Sequence, residues 1–365
     1  MKGHNIDVNR RKFLGSSAVT ISTAALVSSG LLAHKNANAQ SSRRPELVVV
    51  GSADASDLAV ERVTYANRNT KTEIAANLFK PPGFDGANKY PAVVIVHPIG
   101  GVKEQTAGLY ALHLARKGYI TLAFDATYQG DSGGEPRLME LPAARVDDVS
   151  SSIDFLSAHA NVNPDRIGLL GICGGGGYAL NAAQTELRIK AVATVSAADI
   201  GGLRRSGLGG SRQSAERIKL LKEASLQRSL EAQGGPVRLT ATVPESAKDF
   251  TSSTPVMYRE GFEYYRTSRG RHPNAVCRAV FSTLPAQMAF YAFEALETIS
   301  PRPILMIAGD KADSLYFSQD AYSKAIEPKE LFLVAGATHI DMYDKRQYVV
   351  PAVHKLSSFF DSHLV

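Results

Sequence analysis

Gly171-Ile172-Cys173-Gly174-Gly175 has the frame of a nucleophile elbow, G-x-S-x-G, with a thiol where the hydroxyl usually stands. A nucleophile offered on a strained strand-to-helix turn needs glycines on either side, where the backbones crowd. The flanks agree: Asp165 to Gly171 reads as a short buried strand and Tyr178 to Gln184 as helix. Cys173 is therefore expected at a helix N-terminus, where the dipole and free amides favour a thiolate. A glycine-rich run of this kind also suits a phosphate-binding turn. A dinucleotide fold, however, sets its fingerprint on the first strand, with an acid about 20 positions on, and Cys173 lies mid-chain.

An elbow is followed in chain order by an acid after the penultimate strand and a base after the last. His339, behind the small-residue turn Ala335-Gly336-Ala337-Thr338, stands at the base position. Gly309-Asp310-Lys311-Ala312-Asp313 stands at the acid position, and the spacing to the following helix favours Asp313 over Asp310; Asp341 and Asp344 are the remaining carboxylates nearby. A Cys-His pair can also ionise with little help from an acid. His97-Pro98-Ile99-Gly100-Gly101 follows an apolar strand, where a glycine-rich loop can aim backbone amides at a developing oxyanion. The expected oxyanion donors are the amides of Ile99 and Gly174. Asp125 to Gly134 reads as a wall of the mouth, its Asp and Gly residues serving the turn.

These residues need a scaffold that brings strand ends together. Residues 60–67 and 71–80 read as an opening hairpin, and Pro91 to His97 as a strand buried on both faces. Helix then alternates with strand through residue 195, which indicates a doubly wound, mostly parallel α/β sheet. The alternation breaks at Gly201 and resumes at Pro303. The expected organisation is a core over residues 40–200 and 301–365, with residues 201–300 inserted between two core strands as a cap.

The chain resembles the α/β-hydrolase superfamily over roughly residues 60–365, and within it the bacterial YcjY-type hydrolases. The resemblance rests on His97-Pro98-x-Gly100-Gly101, Asn163 to Gly168, Gly171 to Gly175, Tyr316-Phe317-Ser318 and His339-x-Asp341. Dienelactone hydrolases resemble it more remotely, sharing a Cys nucleophile at the elbow. The resemblance implies a Cys-Asp-His hydrolase without fixing an Asp at the place of Asp313; with the acid taken from the spacing above, the expected triad is Cys173, Asp313 and His339. Its expected substrate is a small molecule with an ester, lactone or thioester bond, because a thiolate expels alkoxide or thiolate more readily than amine. No cofactor or metal is called for. The competing readings are a ligand-binding protein that uses the scaffold without turnover, and a redox thiol protein pairing Cys173 with Cys277.

The chain has 365 residues and two cysteines. Asn9-Arg10-Arg11-Lys12-Phe13-Leu14 followed by a Ser/Ala/Leu-rich stretch and Ala37-Asn38-Ala39 reads as a twin-arginine signal over residues 1–39, cleaved after Ala39. The expected location is periplasmic or secreted, with the Tat machinery as the precursor's partner. Losing five basic residues and one acidic residue with the signal takes the net charge from +6 to +2. Nothing in the remainder asks for nucleic acid. The cap segment carries fourteen Lys or Arg against nine Asp or Glu, a net of +5, which leaves the rest of the mature chain at −3. If these arginines line the mouth, their field favours substrates with a carboxylate. A disulfide between Cys173 and Cys277 is the ordinary outcome in an oxidising compartment, but it would leave the glycine frame without purpose.

Replacing Arg10 and Arg11 by Lys is expected to hold precursor in the cytoplasm, as read by fractionation and precursor size. Normal export of the double variant would assign the segment to another route.

Overall fold

The computed structural model describes residues 57–364; the expected signal at residues 1–39 lies outside them. The hairpin of β1 (Ala59–Ala66) and β2 (Glu73–Lys80) opens the chain. Then come β3 (Tyr90–Val96), α1 (Thr106–Ala115), β4 (Ile120–Phe124), α2 (Pro142–Ala158), β5 (Val162–Ile172), α3 (Gly174–Ala183) and β6 (Ala191–Val195). The sheet is completed by β9 (Ile304–Gly309) and β10 (Lys329–Val334), giving eight strands in the order β1-β2-β4-β3-β5-β6-β9-β10. Only β1 and β2 run antiparallel to their neighbours; from β4 to β10 every pair is parallel.

The inner strands are runs of Val, Ile, Leu and Ala buried on both faces, as a sheet covered by helices requires. α1 packs with α10 (Arg346–His363) on one face, and α2 packs with α3 on the other. The Pro142 ring occupies the first turn of α2, where a missing N–H is harmless. Because the strands are parallel, the loops after β3, β5, β9 and β10 all leave from one edge of the sheet. Ligand sites of open α/β sheets form at that edge.

Between β6 and β9 the chain leaves the sheet. It forms α4 (Ile200–Ser206), α5 (Ser214–Ala232), β7 (Leu239–Ala241), α6 (Val256–Arg266), β8 (Arg278–Val280) and α7 (Leu284–Met288). β7 and β8 pair as a separate two-stranded sheet, an element that the sequence pattern did not announce. After β9 come α8 (Leu315–Lys324) and the short α9 (Asp341–Asp344). Among the described residues no helix is long and apolar enough to cross a membrane.

A close contact at Gly168 helps to seat the C-terminal segment on the sheet. A Cβ at Gly168 of β5 would lie 2.8 Å from Phe360 and 3.1 Å from Leu364. Gly168→Ala is therefore expected to destabilise the protein by about 1–3 kcal/mol through overpacking. The measurement is the urea midpoint, with partial recovery when Phe360→Leu is added; an unchanged midpoint would contradict this packing.

Candidate active site

Cys173 sits between β5 and α3 with φ 55° and ψ −124°, a left-handed backbone that a side-chain-bearing residue adopts only under constraint. The constraint comes from its neighbours. A Cβ at Gly171 would meet Gly175 O at 2.4 Å, and one at Gly175 would meet Val96 O at 2.3 Å, so the turn closes only with bare backbone at both positions. The Cys173 N–H donates to Val195 O at 3.0 Å, and its carbonyl accepts from Gly176 N at 2.8 Å and Ala198 N at 2.9 Å. All of its backbone polar groups are thereby used, which leaves the side chain as the part presented to the cavity.

The loop after β3 stands opposite. A Cβ at Gly174 would come within 2.8 Å of Ile99 Cγ1, so these two residues face each other beside Cys173. His97 is the foundation of this loop rather than part of its chemistry. Its Nδ1 contacts Pro98 O at 2.6 Å, while its Nε2 is 3.1 Å from both Ala126 N and Arg145 Nη1. Burial and the Arg145 charge hold the His97 pKa well below its ordinary value, which keeps the ring neutral. Arg145, 2% exposed, also donates to His97 O at 2.8 Å. Lys103 is sealed nearby against Asp125, Asp131 and Glu104, each at 2.7 Å. Burial works against its charge, but the carboxylates outweigh burial and hold its pKa above the usual lysine range.

His339, in the loop after β10, lines the same cavity as Cys173. Its Nδ1 lies 2.5 Å from Ser314 Oγ and its Nε2 lies 3.4 Å from the Tyr343 hydroxyl. The structure does not bring the expected acid to it. Asp313 turns the other way and accepts the Met257 N–H at 2.9 Å, in the first turn of α6, with Oδ1 buried and unpartnered. The N-terminus of α6 thus captures the carboxylate, and the next residue, Ser314, meets the imidazole. Asp310 accepts from Gly336 N at 2.7 Å, Asp341 pairs with Lys345, and Asp344 pairs with Arg269. None of the four carboxylates hydrogen-bonds His339.

Two partners escaped the sequence reading. Ser314 carries no spacing signal, because a hydroxyl beside an Asp invites choice of the Asp. Tyr343 does carry one: it lies four residues after His339, which puts both on one side of a helical turn. Its hydroxyl also meets the Cys173 thiol. Tyr264 and Tyr265 pack edge-on against its ring at 5.2 and 6.3 Å.

The electrostatics depart from the expected thiolate. Burial pushes the Cys173 thiol above its ordinary pKa, against the Tyr343 hydroxyl, the Gly174 N–H and the Arg145 charge. Burial alone pushes His339 down to about 4. Burial thus works against the helix N-terminus at the half-buried Cys173 and favours a neutral thiol beside a neutral imidazole. The two cysteines are both free; Cys277 is buried against Gly100 O at 3.6 Å.

The cavity itself measures about 60 Å³ and is mostly apolar. The core contributes Ile99, Cys173, His339 and Tyr343, and the segment between β6 and β9 contributes Leu203, Met257, Tyr258 and Tyr265 among others. Arg204 is the one arginine in its wall; Arg205, Arg212, Arg269 and Arg278 are paired with Asp199, Glu216, Asp344 and Glu245. Among the described residues no group of three or more His, Cys, Asp or Glu is placed to share a metal ion.

A parallel sheet with a strained thiol elbow after β5 and a histidine after the last strand defines an α/β-hydrolase. The family model for the dienelactone hydrolase family matches residues 74–197. YcjY of Escherichia coli K12 is 38% identical over 83% of this chain and 99% of its own length. PA2218 of Pseudomonas aeruginosa is 40% identical over 83% of this chain and 80% of its own; its crystal structure superimposes with a TM-score of 0.81, covering 89% of this chain and 100% of that one. A polyketide transferase of Penicillium crustosum, claH, is 24% identical over 77% of this chain and 91% of its own. The chain belongs to the family of YcjY and PA2218 within the α/β-hydrolase superfamily, and it is a hydrolase of that fold.

A neutral resting thiol has a kinetic signature. Alkylation of Cys173 by iodoacetamide, followed by peptide mass spectrometry, is expected to speed up about tenfold per pH unit from pH 6.5 to 8.5 as the thiolate fraction grows. A rate already level across that range would mean a preformed thiolate-imidazolium pair.

Proposed function

We propose that this protein hydrolyses an ester, lactone or thioester of a small molecule through an acyl-enzyme on Cys173. The observation that carries the reading is the strained Cys173 elbow opening, together with His339, onto one apolar cavity beside the facing Ile99 and Gly174. Ser314, accepting from Nδ1–H, holds His339 in the tautomer whose Nε2 is free to act as base. The Tyr343 hydroxyl stands between that nitrogen and the thiol. As sulfur attacks the carbonyl carbon, the Tyr343 oxygen takes the thiol proton while its own proton passes to His339 Nε2. The relay ends with imidazolium and phenol, so no free tyrosinate has to form.

The Ile99 and Gly174 amides then stabilise the oxyanion, and the imidazolium protonates the departing alkoxide or thiolate. Water, deprotonated by the same histidine, cleaves the thioester and regenerates the thiol. The acyl-enzyme reading accords with a relative named as a transferase, since an acyl group held on a nucleophile can pass to water or to another acceptor. We place the reaction outside the cytoplasm, on the strength of Arg10-Arg11 and the small-residue site ending at Ala39.

The test is turnover of a panel of aryl esters, lactones and acyl thioesters with intact-mass detection of the acyl adduct. Cys173→Ala is expected to lose at least about a thousandfold in kcat/KM. Ser314→Ala is expected to lower kcat about ten- to a hundredfold with little change in KM, whereas Asp313→Asn changes kcat by less than about threefold. Tyr343→Phe, which keeps the ring, is expected to lose about tenfold or more in kcat. A larger loss for Asp313→Asn than for Ser314→Ala would restore the carboxylate as the partner of His339. Stable binding with no adduct and no turnover across the panel would instead make this a ligand-binding protein.

A further inference from the structure

We propose that the segment between β6 and β9 carries a second ligand site, for a phosphate-bearing molecule, next to the catalytic cavity. A cavity of about 430 Å³ is lined there by Arg266, Arg271, His272 and Arg278, with Glu245 as its one acid. Glu245 is already occupied, because Arg278 Nε lies 2.6 Å from its carboxylate. Glu245 also feels the Arg266 charge, so the wall sets three guanidinium groups against one carboxylate, an excess of two positive charges.

Arg266 is the decisive residue. It ends α6 and donates from Nη1 to Val276 O at 3.1 Å, while Nε and Nη2 are buried with no partner. These two nitrogens form one edge of the guanidinium, the edge that grips two oxygens of a phosphate or carboxylate as a fork. Buried donors without an acceptor are costly, and because this edge is closed to solvent, an oxyanion reaches it only as the guanidinium turns toward the cavity, where it satisfies both donors at once. The charge count separates the two oxyanions: a pair of guanidinium groups matches the dianion of a phosphate monoester better than a single carboxylate. His272 adds a donor in the same wall, since its Nδ1 accepts the Asn274 N–H at 3.3 Å and a neutral ring then carries its proton on Nε2.

Tyr265 lines both this cavity and the catalytic one, so a phosphate held here lies one side chain from the apolar pocket. The phosphate could be the distant end of a substrate, such as an acyl thioester with a phosphorylated leaving group, or a free phosphorylated molecule. Occupancy of the site does not depend on the assignment of Cys173 as nucleophile.

The experiment uses the full chain titrated with inorganic phosphate and with phenyl phosphate, at constant ionic strength set with chloride, and reads melting temperature and binding heat. Saturable binding is expected, weakened at least about tenfold in Arg266→Gln and in the exposed Arg271→Gln, and unchanged in Cys173→Ala. If the phosphate belongs to the substrate, a phosphate-bearing acyl thioester exceeds its phosphate-free analogue in kcat/KM and Arg266→Gln removes the difference. If it is a free ligand, the two thioesters react alike while binding persists. Absence of saturable binding, or equal binding by wild type and both arginine variants, overturns the site. Turnover of a neutral ester by Arg266→Gln, expected within about twofold of wild type, shows separately that the hydrolase reading stands.

Discussion

Everything in the Cys173 cavity depends on a crowding of backbones around one residue. Gly171 and Gly175 let the end of β5 and the start of α3 come within contact distance of each other and of Val96 in β3. A methyl group at either position would push these chains apart, and Cys173 would relax out of its left-handed conformation. The same closeness fixes the height of the loop after β3, because Gly174 and Ile99 touch. The Cys173 elbow and the loop after β3 are thus set by a single packing event, to which His97, Arg145 and the sealed Lys103 cluster add stiffness from below.

Burial is the second organising influence, and it sets the protonation state. A thiol at a helix N-terminus ordinarily gains acidity, but that gain is small where water is excluded from the charged form. Cys173 and His339 both shift toward neutrality for the same reason. Shifted in this way, the two groups carry no resting ion pair between them.

Much of this was legible in the chain. The apolar runs at 91–97, 166–171 and 303–309 became β3, β5 and β9, and the thiol elbow and the late histidine lie where their spacing put them. Periodicity reads such elements well because burial on both faces leaves a continuous apolar signature. The partner of His339 was not legible. Between Asp313 and Ser314 the decision rests on a competitor far away in sequence, the Met257 N–H, which draws the carboxylate away from the imidazole. The thiolate expectation failed on similar grounds, since local helix geometry is visible in sequence and the depth of burial is not. Nor did the basic composition of residues 201–300 reveal that Arg205, Arg212, Arg269 and Arg278 pair with acidic neighbours while Arg204 faces the cavity.

The bond from Met257 to Asp313 has one more implication. α6 forms part of the cavity roof, and it is fastened to the loops after both β9 and β10: at Asp313 by its first turn, and at Thr338 through Glu260, whose carboxylate accepts the Thr338 hydroxyl at 2.6 Å. Each fastening lies one residue from a member of the Ser314-His339 pair. The cavity roof and the His339 loop are therefore tied at two points, one on each side of the imidazole hydrogen bond, so the packing of α6 and the alignment of Ser314 with His339 belong to one arrangement.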